Sequence, residues 1–380
     1  MAAPSLVVAT IFPERGRTGV HTHVRELCNY LEKCGIATTF VTPFSWCRPL
    51  TYPIFAPRLL LKWFNRPASV VWYRYWHEVF LRNALRTRLA GLGDCVIYAQ
   101  GPMEARAALR ARRGSNQRVA MAVHFRISQA DEYAEPGREL KRDGRVFRAI
   151  RRAEQEVIPQ VDSIVYVSRW AQKALLSWLP EAAQVPSAVI GNFVAPPCSE
   201  LSDELLGDLV TTGRLDANKN HRYLLEVLAV AKRNGKIFNL DIFGEGPLRK
   251  SLLRLARSLD LEEQVRFHGY RPDVRDFLPR YRAYVHAAHA EVAPLAIIEA
   301  MAAGLPIVAG DLPPIYDLCD DGVEGRFWSL DDPAKAAATL IELLDSESAR
   351  LMAASAARQR FLRDFDADIV APRLRSFLLG

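Results

Sequence analysis

Long apolar runs are missing from this 380-residue chain. No uninterrupted stretch approaches the roughly 18 residues that a membrane-crossing helix needs. The opening MAAPSLVVATIFPERG also lacks the basic start and long apolar middle of a secretory signal. The expectation is a cytoplasmic chain, free or peripheral on the inner face of the cell membrane. Paired cysteines are missing too. Cys28, Cys34, Cys47, Cys95, Cys198 and Cys319 form no C-x-x-C and no Cys/His metal spacing, so reduced structural thiols are expected. The D-x-D triplet that could hold a metal occurs only in the tail, at Asp364 to Asp368, where it reads as helix capping. No resident metal or other cofactor is expected. The NAD fingerprint fails after Gly244-Glu245-Gly246, because Pro247 follows and Arg249 stands where a third Gly is wanted. No recognised nucleic-acid motif occurs, and nucleic acid is not an expected partner.

Acidic residues are scarce in one place. Between Arg48 and Leu89 there are eight Lys and Arg, nine aromatics and a single acid, Glu78. The imbalance extends to the whole first half: residues 1–195 carry 27 Lys and Arg against 15 Asp and Glu, whereas residues 196–380 carry 23 against 28. The first half therefore faces something anionic. Within 48–89, Leu59 to Phe64 and Val70 to Leu89 read as helices after a Pro-punctuated stretch. Arg74, Arg82 and Arg86 fall on one stripe of the second helix beside Trp72, Trp76, Val79 and Phe80. Two readings are open: a basic amphipathic segment on an anionic membrane surface, or an ordinary helix packed on its own domain with a solvated basic face.

What is present is enough apolar residue for real cores, 49% hydrophobic against 24% charged, in a length that suits two domains. Leu6 to Ile11, Ile36 to Thr42, Asp94 to Ala99, Arg118 to His124 and Asp162 to Ser168 read as strands, with helices between them. A second series, near Leu209 to Thr212, Leu240 to Phe243, Val265 to Phe267, Ala283 to His286 and Ile307 to Ala309, alternates with helices in the same way. Such alternation means parallel sheets covered on both faces. The stretch APPCSELSDE between the two series reads as a linker.

The most informative segment is EVAPLAIIEAMAAGLPIVAG, Glu291 to Gly310. Glu291 falls in a loop and Glu299 within a small-residue helix that Gly304 and Pro306 stop. A helix N-terminus offers unbonded N–H groups and partial positive charge, here at Leu295 and Ala296 after Pro294, which has no N–H of its own, so it suits a phosphate. A carboxylate on either side suits hydroxyls. A sugar at one end and a ribose at the other is the ligand suggested.

These residues resemble the retaining glycosyltransferases of family 4, whose hallmark is E-x7-E followed by A-M-A-x-G-x-P; Glu291, Glu299, Ala300, Met301, Ala302, Gly304 and Pro306 match it. The family's Phe-Gly after the first Glu is replaced by Ala293-Pro294. The resemblance implies that Glu291 contacts the transferred sugar and Glu299 the ribose. It extends to Gly213-Arg214-Leu215-Asp216-Ala217-Asn218-Lys219, similar to G-R-L-x-x-x-K, which implies that Arg214 and Lys219 hold the donor diphosphate. Gly19 matches the glycine loop that approaches the same diphosphate, with Thr18 in place of a first Gly. His23, on the following helix, is open between core and site. His124, at a strand's C-terminal end, matches a family His at the sugar end of the donor. Gly244 falls in the G-x-G-P that shapes the nucleotide pocket. Tyr270 and Arg271 follow a strand beside the nucleobase, where either is base cover or solvated rim.

The resemblance implies a GT-B-like α/β fold, two Rossmann-like doubly wound domains facing a central cleft. The expected domains are 1–195, binding acceptor, and 205–364, binding nucleotide sugar, with a final helix in 365–380 packing back on the first. The implied activity is metal-independent transfer, with retention, from a UDP- or GDP-linked sugar to a saccharide or lipid-linked saccharide acceptor. Polysaccharide, lipopolysaccharide or glycolipid assembly at the cytoplasmic membrane face is the implied setting. Two alternatives remain at this point: a GT-B enzyme that hydrolyses or epimerises a nucleotide sugar, and a non-catalytic anionic-surface-binding protein.

Overall fold

The structure is a computed structural model describing residues 5–13, 16, 18–46, 48–135, 139–197 and 205–380. Cys47, Cys198 and the linker positions 198–204 lie outside the described residues. The chain divides into two compact units, residues up to Gly191 with Ala371–Gly380, and Asn192–Val370. The division falls ahead of the expected 195, because Val194 already pairs with Asp366 in an isolated parallel bridge of the second unit. Cys28, Cys34, Cys95 and Cys319 are free thiols.

The first unit holds β1 (Ser5–Ala9), β2 (Thr38–Val41), β3 (Cys95–Ala99), β4 (Gln117–Val123), β5 (Ser163–Tyr166) and β6 (Ser187–Val189). They form one sheet in the order β2-β1-β3-β4-β5-β6, every pairing parallel. Because helices cover both faces, the central strands are continuous apolar runs and not alternating ones: β3, CVIYA, is buried at every position. Helices α1 (Gly19–Lys33), α2 (Arg48–Phe55), α3 (Pro57–Phe64), α4 (Arg66–Leu89), α5 (Pro102–Ala111), α6 (Gln129–Tyr133), α7 (Arg145–Val157) and α8 (Arg169–Trp178) complete it. On α7, Phe147, Ile150, Glu154 and Val157 are buried at helical spacing.

The Pro-punctuated stretch before Leu59 is itself a helix, α2, with Pro53 inside it. A helix this short forfeits little to a missing N–H. The expected Arg stripe of α4 is largely tied down within its own unit. Arg74 donates to Gln129 Oε1 at 2.8 Å and lies over the Tyr133 ring, and Arg86 donates to the Arg110 carbonyl at 3.4 Å. Glu78, the segment's single acid, is held by Arg106 and Arg110.

The second unit holds β7 (Gly207–Thr212), β8 (Leu240–Phe243), β9 (Val265–Gly269), β10 (Tyr281–His286), β11 (Ile307–Gly310) and β12 (Gly325–Trp328). Their order is β12-β11-β10-β7-β8-β9, again all parallel. Counted from the first strand this is 3-2-1-4-5-6, the order of dinucleotide-binding folds. The helices are α9 (His221–Arg233), α10 (Arg249–Ser258), α11 (Val274–Phe277), α12 (Leu295–Ala302), α13 (Pro333–Asp345), α14 (Glu347–Asp364) and α15 (Ala367–Leu379). LAIIEAMA of α12 is apolar nearly all round and correspondingly buried, with Glu299 its one charged position. The tail D-x-D serves as expected: Asp366 Oδ1 accepts the Asp368 N–H at 3.0 Å at the start of α15. Residues 371–380 belong to the first unit, where Ala371, Leu374 and Leu378 are buried and the Leu378 carbonyl accepts from Arg118 at 3.2 Å.

Candidate functional site

In an open parallel sheet, ligands bind beyond the C-terminal strand ends where the strand order reverses, since helices there leave the sheet in opposite directions. In the second unit that point lies between β7 and β10. The loop after β7 carries Arg214 to Asn220, and the loop after β10 carries Ala287 to Pro294. Below them Tyr284 ties the two strands together: its hydroxyl donates to the Thr212 carbonyl at 3.2 Å. Asn218 joins the loops, accepting from the His289 N–H at 2.8 Å and donating through Nδ2 to the Ala290 carbonyl at 2.9 Å.

These ties bring Lys219 and Glu291 into a direct ion pair. His286, the last residue of β10, is buried and lies 3.1 Å from Glu291 Oε1 through Nε2. Burial alone would raise the Glu291 carboxyl, but the Lys219 charge and the His286 hydrogen bond overcome it and hold the group down at about 2. Burial also lowers His286, opposed in part by Glu291, so the imidazole is neutral and donates through Nε2–H. His221 opens α9 close by. It is pushed down to about 3 by burial first, then by His286 and Lys219.

The other expected residues of this unit sit as follows. Arg214 is 68% exposed and reaches Asp216 at 3.3 Å. Glu299, on α12, lies 4.0 Å from Arg275 Nε. Pro294 is the N-cap of α12, and the Ile297 N–H donates to its carbonyl at 3.1 Å, so the Leu295 and Ala296 amides precede the first helical bond. Asn192 Nδ2 donates to the Ala293 carbonyl at 2.8 Å and fixes the approach to that cap. Gly244 has a backbone reason to be glycine: at φ +150 a Cβ would stand 1.8 Å from the Gly213 carbonyl oxygen. The β7 and β8 loops close on each other through Gly213 N–H to the Phe243 carbonyl and Leu215 N–H to the Glu245 carbonyl. Tyr270 is 41% exposed, and Arg271 is engaged by Asp273 at 2.6 Å and stacked over Phe277.

Gly19 and His124 belong to the first unit. There the reversal lies between β1 and β3, and Gly19 is the first residue of α1, which follows β1. Thr18 caps that helix with His21, whose Nε2 lies 3.1 Å from the Pro13 carbonyl oxygen. A cavity of about 410 Å³ opens here, lined among others by Thr10, Phe12, Val20, His21 and Arg25. His124 follows β4, with Nε2 3.0 Å from Gln100 Oε1 and its ring edge-on to His23, centroids 5.0 Å apart. His23 is fully buried and 3.1 Å from the Tyr98 hydroxyl, which answers the open question toward the core. Burial, and then His23, keep His124 well below its usual range.

The comparisons follow the same division. Residues 17–196 match the family model described as Glycosyltransferase Family 4, and residues 201–360 match that of Glycosyl transferases group 1. The chain belongs to the family 4 glycosyltransferases. One curated family member, an uncharacterized glycosyltransferase of Haemophilus influenzae, is 37% identical over 106 residues, 28% of this chain and 30% of that one. Another, the amylovoran biosynthesis glycosyltransferase AmsK of Erwinia amylovora, is 27% identical over 178 residues, 45% of this chain and 44% of its own. The chain spans less than half the length of the first curated relatives it matches. Among solved structures, Anabaena HepE in complex with UDP and glucose superposes with a TM-score of 0.66 at 17% identity, covering 99% of both chains. That likeness gives the GT-B fold to this family member, with one Rossmann-like sheet in each unit.

His286, His221, Asn218 and Asn192 are not among the sequence-derived site residues. His286 carried a signal as a polar residue at the C-terminal end of a strand, and Asn192 as the one residue of Val189 to Val194 that matches the family's V-I-P-N-G-V.

Proposed function

We propose that the protein is a retaining glycosyltransferase that moves a hexose or related sugar from a nucleoside diphosphate sugar to an acceptor hydroxyl in polysaccharide, lipopolysaccharide or glycolipid assembly. The observation that carries this is the Lys219–Glu291–His286 cluster at the strand-order reversal of the second unit. The names of relatives such as AmsK support the setting.

In this reading the bond between the anomeric carbon and the diphosphate oxygen breaks, and the acceptor oxygen bonds to the same face. The acceptor proton passes to the departing diphosphate. Negative charge therefore grows on the diphosphate, and the protein's contribution is to stabilise it with groups already in place. An ammonium has three donors, so Lys219 can keep Glu291 and still donate to a phosphate oxygen. Arg214 adds a forked donor, and the Gly19 loop and the Leu295 and Ala296 amides add backbone N–H groups beside Pro294. Glu291, fixed as an anion, accepts from sugar hydroxyls, and His124, kept neutral, is a hydrogen-bonding group for the sugar and not a cation. Glu299 accepts from the ribose. Gly244, Tyr270 and Arg271 border the base. The cavity beside α1 is the proposed seat of the acceptor.

The test is transfer measured as nucleoside diphosphate release with UDP- and GDP-sugars, with and without acceptor, in excess EDTA. A UDP-sugar is the first donor to try, because the HepE structure holds UDP. Acceptor-dependent release that survives EDTA is expected, since Lys219, Arg214 and a helix N-terminus supply the charge a metal otherwise would. Release equal with and without acceptor would make the protein a hydrolase, and release restored only by manganese would overturn the metal-free reading.

A further inference from the structure

Helix α3, PRLLLKWF, has no buried residue. Leu59 and Leu60 are 70% and 66% exposed, and Trp63 and Phe64 are each 88% exposed. Leu59 with Trp63 and Leu60 with Phe64 are pairs four apart, so the four form one stripe of a helix. An amphipathic helix of a folded domain turns such a stripe inward. Here it is turned outward, and polar residues do the anchoring: Arg58 lies 3.9 Å over the Tyr73 ring of α4, and Lys62 bridges to Glu139 at 3.6 Å. The helices on either side in sequence also present apolar side chains to solvent, Leu50 and Tyr52 of α2 and Val71 and Tyr75 of α4, all at least half exposed.

The charge contributed by residues 48–89 has one exposed sign, and Glu139, outside them, meets only Lys62 among the described ion pairs. Between Arg48 and Leu89 the single acid, Glu78, is buried under Arg106 and Arg110, while Lys62 and Arg66 are exposed beside Trp63 and Phe64. A second copy meeting the patch about a two-fold axis would set these cations against their own equivalents. A surface that is apolar in its interior and anionic at its face answers both features: lipid tails take the Leu, Trp and Phe side chains, and acidic headgroups meet Arg66 and the exposed side of Lys62, whose ammonium keeps Glu139 with one donor and has others to offer. We propose that α3, flanked by α2 and the start of α4, inserts into the headgroup layer of an anionic bilayer. The inserting residues are then Leu59, Leu60, Trp63 and Phe64, not the Arg74, Arg82 and Arg86 stripe. The inference does not depend on the proposed reaction, and its test reads binding, not turnover.

Flotation would be run with vesicles of phosphatidylcholine alone and with phosphatidylglycerol added, using the full chain and W63S/F64S. The two rings are solvent-exposed, so circular dichroism and melting temperature should be unchanged in the variant. Wild type should float with the anionic vesicles, less so in high salt, and the variant's partition should fall at least about tenfold. Three results would each overturn the proposal: no wild-type flotation on anionic vesicles at low salt, retained flotation of a folded W63S/F64S, and light scattering that shows a wild-type dimer abolished by W63S/F64S.

Discussion

Burial by itself would keep the Glu291 carboxyl protonated further toward neutral pH, and two neighbours reverse that. Glu291→Gln keeps the shape and removes the charge, so turnover should drop at least about a hundredfold while nucleoside diphosphate affinity stays nearly constant. Its stability signature has a definite sign. The folded carboxyl is held at about 2 against an ordinary 4.5, so it stabilises the fold above the unfolded value and that contribution is lost as pH falls toward 2. The gap in melting temperature between wild type and Glu291→Gln should therefore narrow between pH 4.5 and 2, and a constant gap would refute the pairing. Glu299→Ala should do the reverse in binding: losing a charge-assisted hydrogen bond costs about 1.5–3 kcal/mol, so nucleoside diphosphate affinity should fall about tenfold or more. Equal nucleotide affinity for the two variants in calorimetry would cancel the division of roles. The two carboxylates were legible because both lie in one short segment whose helix start is marked by Pro294 and whose stop is marked by Gly304. The ion pair itself was not, since Lys219 and Glu291 are 72 positions apart and only the sheet brings their loops together.

Elements were legible where a strand is buried on both faces or a helix presents one apolar stripe, as in β3 and α7. They were obscured where a local rule conflicts with packing, as in α2, where Pro53 argues against the helix and a fully buried Thr51 holds it in place. Burial on α7 has a cost that can be measured. Glu154 is 1% exposed, accepts the Gln129 N–H at 2.8 Å, and is pushed up to about 7 by burial, against the opposing pull of Arg74. A raised carboxyl leaves the fold unpenalised below the unfolded value of 4.5 and destabilises it as pH rises through the folded one. Glu154→Gln keeps an acceptor for Gln129 without the charge. It should be close to neutral at pH 4.5 and stabilising at pH 8, on the order of 1–3 kcal/mol by urea unfolding. Equal effects at both values would show that burial does not disfavour the charge.

At the scale of the molecule, alternation of strands and helices was enough to expect two parallel sheets. The strand orders were not readable, because crossover helices are compatible with several neighbours. The membership of residues 371–380 was expected only from the family resemblance, because their apolar positions Ala371, Leu374 and Leu378 could by pattern alone have covered either sheet. A chain ending at Val370 should retain a folded second unit but lose stability in the first. Its urea midpoint for that unit should fall clearly, since three buried side chains and the acceptor for Arg118 go with the deleted turns. Unchanged unfolding would mean that these residues are ornamental.

The same tail imposes an order on biogenesis. A ribosome delivers all six strands of the first sheet before any of the second, yet the turns that bury Ala371, Leu374 and Leu378 and accept from Arg118 emerge only after the second unit has been made. The earlier half must therefore wait, nearly formed, with an apolar seam open to water and to other nascent chains. Chaperone dependence should accordingly concentrate in that interval, and supplying residues 371–380 as a separate peptide should shorten it.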